Sequence, residues 1–284
     1  MIRLAIESAR GSMELPSFGT NGVVFAPGPA GLGIPPDLTE WEESPAGGGR
    51  LRSVRAGMRD ATLPVTILGQ SSDEVREFAE QLRRVTRAAA KPVFVVTLTN
   101  GERYKLPFIR VGGGEDGLPY EGATELDWAL EVRCGAPYWV SERSRQIGPI
   151  RVESSEGLLP DLAELHVSHS NAFGEINILN TGDVESPVTW VITGPGGPVS
   201  VDVDGAGFTL TDPLDVGEVI TVEYRNRTWS VTDQTGANRY ALLGTAPKFP
   251  RLQPGTSRAT ISMTAATPES SVAGYYQVRR ELIL

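Results

Sequence analysis

The chain has 284 residues, of which 35 are acidic and 26 basic, giving a formal charge of −9. That length suits two domains of ordinary size, and the acidic balance excludes a protein that holds phosphate backbones by long-range attraction. Thirty-two glycines and 21 prolines indicate a loop-rich β protein, short of the ~25–30 % share that marks disorder.

In chain order, "IRLAIES" and "GVVFA" read as strands on either side of the turn-forming "PSFGTNG". The N-terminus lacks the apolar run of a signal peptide, and no stretch is long and apolar enough to span a membrane, so a soluble, cytoplasmically made protein without a membrane partner is expected. From Pro27 to Asp60 glycine and proline dominate. A loop of that length is expected to be mobile or functional, and it reads as an arm at about residues 26–60. Within it Arg50, Arg52, Arg55 and Arg59 form a local basic cluster. Solvated surface is the plainer reading; the sharper one is a subunit contact in which guanidinium forks pair with carboxylates of a neighbour.

"ATLPVTILG" returns to strand character, and then the period changes, with Val75, Phe78, Ala79, Leu82, Val85 and Ala89 recurring at three and four residues. This predicts one helix, started by Ser71 and Glu74 at capping-box spacing, ending in Arg83, Arg84, Arg87 and Lys91, and stopped by Pro92. Its apolar stripe is expected to dock on a sheet. "VFVVTLT", "RYKLPFIRV" and "LDWALEVRCGAPYWV" follow as strands, the first two joined by Asn100-Gly101, a dipeptide suited to a tight hairpin. Cys134 is the single cysteine, so no internal disulfide forms, as suits a reducing compartment. The polar connector after "YWV" sets an expected boundary at Gly148, dividing the chain into residues 1–148, a β-sheet or barrel-like domain with one helix, and 149–284.

Beyond Ile150 no helical period recurs. "EINILN", "VTWVIT", "VSVDV", "FTLT", "VITVEY", "TWSVT", "YALL", "ATISM" and "YYQVRRELIL" alternate with turn clusters at near-regular spacing, the pattern of a β-sandwich. The fold class expected is mainly β.

No residue set points to catalysis. The Gly-x-Ser-x-Gly elbow is absent, and His166 and His169, the only histidines, would point to opposite faces of a strand. Asp202, Asp204 and Gly205 resemble the opening of a calcium loop but lack its later ligands, so a hairpin turn is expected. Gly112 to Gly114 and Gly194 to Pro198 lack the Lys-Ser/Thr of a phosphate loop, and Asn226 to Thr228 matches a glycosylation sequon only by pattern. No catalytic residue, cofactor or metal site is expected. Trp190 or Trp229 could serve a carbohydrate-binding module as a stacking platform, although a tryptophan in a strand is more often core.

The order of features in the second half resembles the distal tail protein (Dit) family of long-tailed bacteriophages. The resemblance is carried by "NTGDVESPVTWVITGPGGPVSV", "LDVGEVITVEYRNRTWSVTDQTGANRYALL", "FPRLQPGTSRATISM" and the closing "YYQVRRELIL". In the first half "LPVTILGQSSDEVREFAEQLRRV", "VFVVTLTNGERYKLPFIRVGGG" and "LEVRCGAPYWV" repeat that family's order of strand, helix and hairpin. The long Gly-rich arm and Ala136, where an acidic residue is frequent, depart from it. The resemblance implies a galectin-like C-terminal sandwich and a homohexameric ring in the virion at the tail tip. Its implied partners are the tail tube protein and the tail-tip hub. A carbohydrate-binding role is the alternative.

Overall fold

The computed structural model describes residues 2–19, 21–114, 122–151, 174–225 and 228–283; His166, His169 and Asn226 lie outside them. The chain is mainly β and divides into two compact units, one of Met1–Arg143 with Arg280–Leu284 and one of Ser144–Arg279. The division falls ahead of Gly148, and the last residues belong again to the first unit.

In the first unit, strands β1 (Arg3–Ser8), β2 (Gly11–Leu15), β3 (Gly22–Phe25), β4 (Asp37–Glu43), β5 (Gly49–Ala56) and β6 (Arg59–Leu68) precede the helix α1 (Ser72–Val85). Then come β7 (Val93–Thr97), β8 (Arg103–Pro107), β9 (Ile109–Gly112), β10 (Glu125–Cys134) and the start of β11 (Trp139–Arg151). One antiparallel sheet runs β2-β1-β7-β8, extended by Val140 and Ser141 of β11 beside β8, and a second runs β3-β6-β10-β9. Strict alternation explains the second: Ala61, Leu63, Val65 and Ile67 of β6 and Leu130, Val132 and Cys134 of β10 all turn inward.

Helix α1 begins as expected, with Ser71 Oγ accepting from the Glu74 N–H at 3.3 Å. The Glu74 carboxylate accepts from Gln70 N–H at 2.8 Å, so the reciprocal bond closes one residue before the usual capping box. Val75, Leu82 and Val85 are buried. Phe78, placed on the same stripe by its spacing, is only half-buried. At the end of β7 the Leu98 N–H bonds to Glu102 O and Gly101, at φ 82°, makes the turn to β8.

The second unit contains the remainder of β11 and then β12 (Gly174–Asn180), β13 (Ser186–Thr193), β14 (Val199–Val203), β15 (Ala206–Leu210), β16 (Val219–Arg225) and β17 (Thr228–Asp233). It ends with β18 (Arg251–Leu252), β19 (Gly255–Met263) and β20 (Ser271–Arg280). Its antiparallel sheets are β12-β19-β14-β15 and β17-β16-β13-β20, with β18 also paired to β13. Val188, Trp190 and Ile192 from one and Val199, Val201, Ala259 and Ile261 from the other are fully buried, the alternation of a sandwich. "YALL" departs from expectation: Tyr240–Leu242 is a single 3-10 turn, since its side chains show no two-residue alternation of burial. Asp204 at φ 52° and Gly205 at φ 82° form the β14–β15 turn, and Asp202 Oδ1 accepts from the Gly205 N–H, as a hairpin requires.

The Asn-x-Gly turn has a specific physical cause. Asn180 is buried; its amide donates to the carbonyls of Val184 and Leu252 and its Oδ1 accepts from the Gly182 N–H. A Cβ on Gly182 would stand 2.3 Å from the Arg279 carbonyl oxygen, so no larger residue fits.

Candidate subunit-contact site

The segment read as a loop-like arm contains an ordered β-hairpin. Strands β4 and β5 pair from Asp37↔Ala56 to Glu43↔Gly49, with a bulge at Glu40/Trp41 that leaves Arg52 without an opposite residue. Ser44 N–H bonds to Gly48 O and Gly47 N–H to Ser44 O, and Gly47 and Gly48 take the positive φ values that the turn needs. Proline and glycine therefore lie at the turn and roots of the hairpin, while the strands between them carry alternating apolar and charged residues.

Register sorts those residues into two faces, because directly opposite side chains share one. Thr39 with Val54 and Trp41 with Leu51 form the apolar middle of one face, with Asp37 and Glu43 at its ends; Glu40 with Ser53, Glu42 with Arg50 and Leu38 with Arg55 form the other. Trp41, Leu51 and Val54 are 58 %, 43 % and 51 % exposed. Every residue of β4 is exposed, and every residue of β5 except Ala56. Covering Trp41, Leu51 and Val54 would contribute about 1.5–3 kcal/mol each. An amphipathic two-stranded ribbon of this kind is marginal alone in water, and its apolar face is of the sort that marks an interaction surface. The alternation of Trp41 with Thr39 and of Leu51 with its neighbours was the available sequence signal, masked by the flanking glycines and prolines.

The four arginines do not share one environment. Arg50, Arg52 and Arg55 lie on exposed β5, and the contact of Arg52 with Glu42 at 3.8 Å joins two side chains about three-fifths exposed, worth ~0–1 kcal/mol. Arg59 is different and leaves the candidate contact. It is 1 % exposed. Its Nε donates to Pro137 O at 2.6 Å, Nη1 to Leu32 O at 3.1 Å and to Gly33 O, and Nη2 to Glu281 O at 2.6 Å. Its guanidinium thus joins the root of the hairpin, the loop after β10 and the tail that returns to this unit. Burial holds its pKa below the ordinary guanidinium value. Beside it across the ladder, burial pushes the Cys134 thiol up to about 11, the mark of an inert structural cysteine. Next along β6, hydrogen bonds from Arg133 to Asp60 at 2.6 and 3.0 Å hold the Asp60 carboxyl below its usual range.

In the second unit Trp190 is fully buried and cannot serve as a platform. Trp229 stacks on Phe249 at 4.6 Å with Tyr224 at 5.3 Å, so one ring face is already covered. A cleft of about 420 Å³ is lined by Ser200, Asp202, Thr209 and Lys248 with Phe208, which is buried, and it contains no exposed aromatic ring. Among the described residues no group of three or more His, Cys, Asp or Glu side chains is placed to hold a metal ion.

No family model matches the chain and no curated protein matches it. The SPP1 Dit protein, gp 19.1, a paradigm of the hub adsorption apparatus in phages infecting Gram-positive hosts, matches 97 % of this chain over 98 % of its own with a TM-score of 0.62. The chain has a Dit-like fold. A chain of the phage P2 baseplate in its activated conformation matches over 100 % of both chains with a TM-score of 0.51. Identities are 9 % and 10 %, so the Dit-like likeness is one of architecture. It spans both units, in agreement with the resemblance carried by the strand, helix and turn motifs of both halves.

Proposed function

We propose that this protein is a structural component of a phage tail, a ring-forming hub that joins the tail tube to the tail tip. The observation that carries the reading is the Dit-like fold over 97 % of the chain. The exposed β4–β5 hairpin supports it from an independent direction. A closed ring of identical subunits uses two different complementary patches on each copy, and a projecting ribbon with an uncovered apolar face is suited to be one of them. Arg50 and Arg55, on the opposite face, and Arg52, at the bulge, reach carboxylates of the neighbouring copy; Arg59 stays inside its own unit and fixes the hairpin's root.

In this reading the protein acts by geometry and strength, its partners being further copies of itself, the tail tube protein and the tail-tip hub, and its place is the virion. The ring is six-fold. Native mass spectrometry of the purified chain, with negative-stain imaging of the same sample, tests this. A closed oligomer with a central hole is expected, and removing residues 37–56 reduces it to smaller species while both units remain folded. A chain that stays monomeric alone and in reconstituted tails refutes the proposal.

A further inference from the structure

The end of α1 carries an unusual concentration of positive charge for a chain of formal charge −9. Arg83 and Arg84 occupy the last turn of the helix, Arg87 follows its cap, and Lys91 follows the short 3-10 turn Ala88–Ala90. The Ala9 N–H bonds to the Ala90 carbonyl at 2.9 Å, which brings the β1–β2 turn and its Arg10 to the same end of the unit. All five are exposed, and among the described residues none has a carboxylate partner. The helix dipole accounts for a preference for Arg83 and Arg84 in the last turn, but not for Arg87, Lys91 and Arg10, which lie beyond the helix. Like charges on one exposed end of a unit repel one another through the solvent, and an acidic partner surface relieves that repulsion.

The same chain carries the opposite feature. Strand β4, which alone among the described elements is exposed along its whole length, holds Asp37, Glu40, Glu42 and Glu43. Glu42 meets Arg52 only at 3.8 Å, and Glu40 accepts a bond from Ser53 Oγ at 3.2 Å. We infer that the basic end of α1, with Arg10, is the receptor for the acidic β4 strand of the hairpin of a second copy of this chain. The inference rests on the ring reading and adds the location of the acceptor. The contact is heterologous, hairpin to helix end, so each subunit gives one half and takes the other, as ring closure demands. Complementary charge sets the register of such a contact, which Glu40 and Glu42 make from the face opposite Trp41, Leu51 and Val54.

Charge reversal and rescue in the full chain tests it, with assembly followed by light scattering across a concentration series. Arg84→Glu with Arg87→Glu should raise the concentration needed for assembly by about tenfold or more, as should Glu40→Lys with Glu42→Lys alone. Combining all four should return it to within about threefold of the parent, since the pairs re-form with their signs exchanged. If the first pair fails to fold by circular dichroism, Arg10→Glu with Arg83→Glu replaces it. Reversed variants that assemble like the parent, or a four-fold variant no better than its halves, overturn this contact; if removal of residues 37–56 still abolishes assembly, the ring reading stands without it. A helix-end variant that assembles normally but loses binding to a DNA duplex in a gel shift also overturns it, assigning the patch to a polyanion. A parent chain that never assembles overturns both readings.

Discussion

Replacing Arg59 by methionine keeps most of the length of the side chain and removes every donor. Four carbonyl oxygens, of Leu32, Gly33, Pro137 and Glu281, then lose their partner. A buried acceptor left unsatisfied costs ~1–3 kcal/mol. The four cannot simply be added, because Leu32 and Gly33 share one nitrogen and a relaxed loop admits water. Against this, the variant no longer buries a cation, a gain that offsets part of the loss. Two or three acceptors effectively unsatisfied at that cost, less the offset, leave a destabilisation of about 3–5 kcal/mol. Arg59→Lys should recover only part of it, since an ammonium offers three donors without the planar fork that reaches three segments at once. Urea unfolding followed by tryptophan fluorescence measures the difference. Limited proteolysis should show earlier cleavage in residues 26–36, where the hairpin's root is no longer fixed. An Arg59→Met chain within about 1 kcal/mol of the parent, with an unchanged cleavage pattern, would refute the reasoning.

Further outcomes follow from other sites. Cys134 ionises from an ordinary value near 9 raised to about 11 in the folded chain. Between about 9 and about 11 the unfolded chain therefore binds fewer protons than the folded one, and stability falls as pH rises through that window. Cys134→Ala should flatten the decline in pH-dependent urea midpoints. Leu82→Ala, at a fully buried position, should cost about 2–5 kcal/mol, and Phe78→Ala clearly less, because Phe78 is half-buried; thermal melts of the two variants check the order. Gly182→Ala should cost about 1–3 kcal/mol by overpacking, seen as a lowered midpoint in the melt of the second unit, because its Cβ would meet the Arg279 carbonyl at 2.3 Å.

Burial that repeats every second residue was legible in the sequence. Ser186 to Thr193 buries every alternate side chain, and that period follows from the composition of the strand itself. The start of α1 was legible for the same reason, its signal lying within four residues of Ser71. The hairpin at 37–56 was not, because it is embedded in a Gly- and Pro-rich stretch and its strands bury nothing in their own unit. Strands that bury nothing within their own unit give no local contrast between inside and outside. Arg59 was misplaced for a different reason. Its acceptors lie 26, 27, 78 and 222 residues away and are main-chain carbonyls, which carry no residue identity, so proximity to Arg50, Arg52 and Arg55 was the only clue available. The last turn of the unit boundary was hidden likewise, since nothing in "RRELIL" states to which unit those residues belong.

The bond from Arg59 to the Glu281 carbonyl spans 222 residues, and this sets an order of events during synthesis. A ribosome adding ~5–20 residues per second delivers Glu281 roughly 10–45 s after Arg59. Over that interval the whole of the second unit, Ser144–Arg279, emerges and can fold on its own strands. The first unit meanwhile has its sheets and helix available but a cation with one anchor point missing. The second unit likewise waits for its last strand, β20, which ends just before Glu281. Both units are thus completed together although the first begins earlier, and the maturation of the hairpin's root is timed by the arrival of the tail.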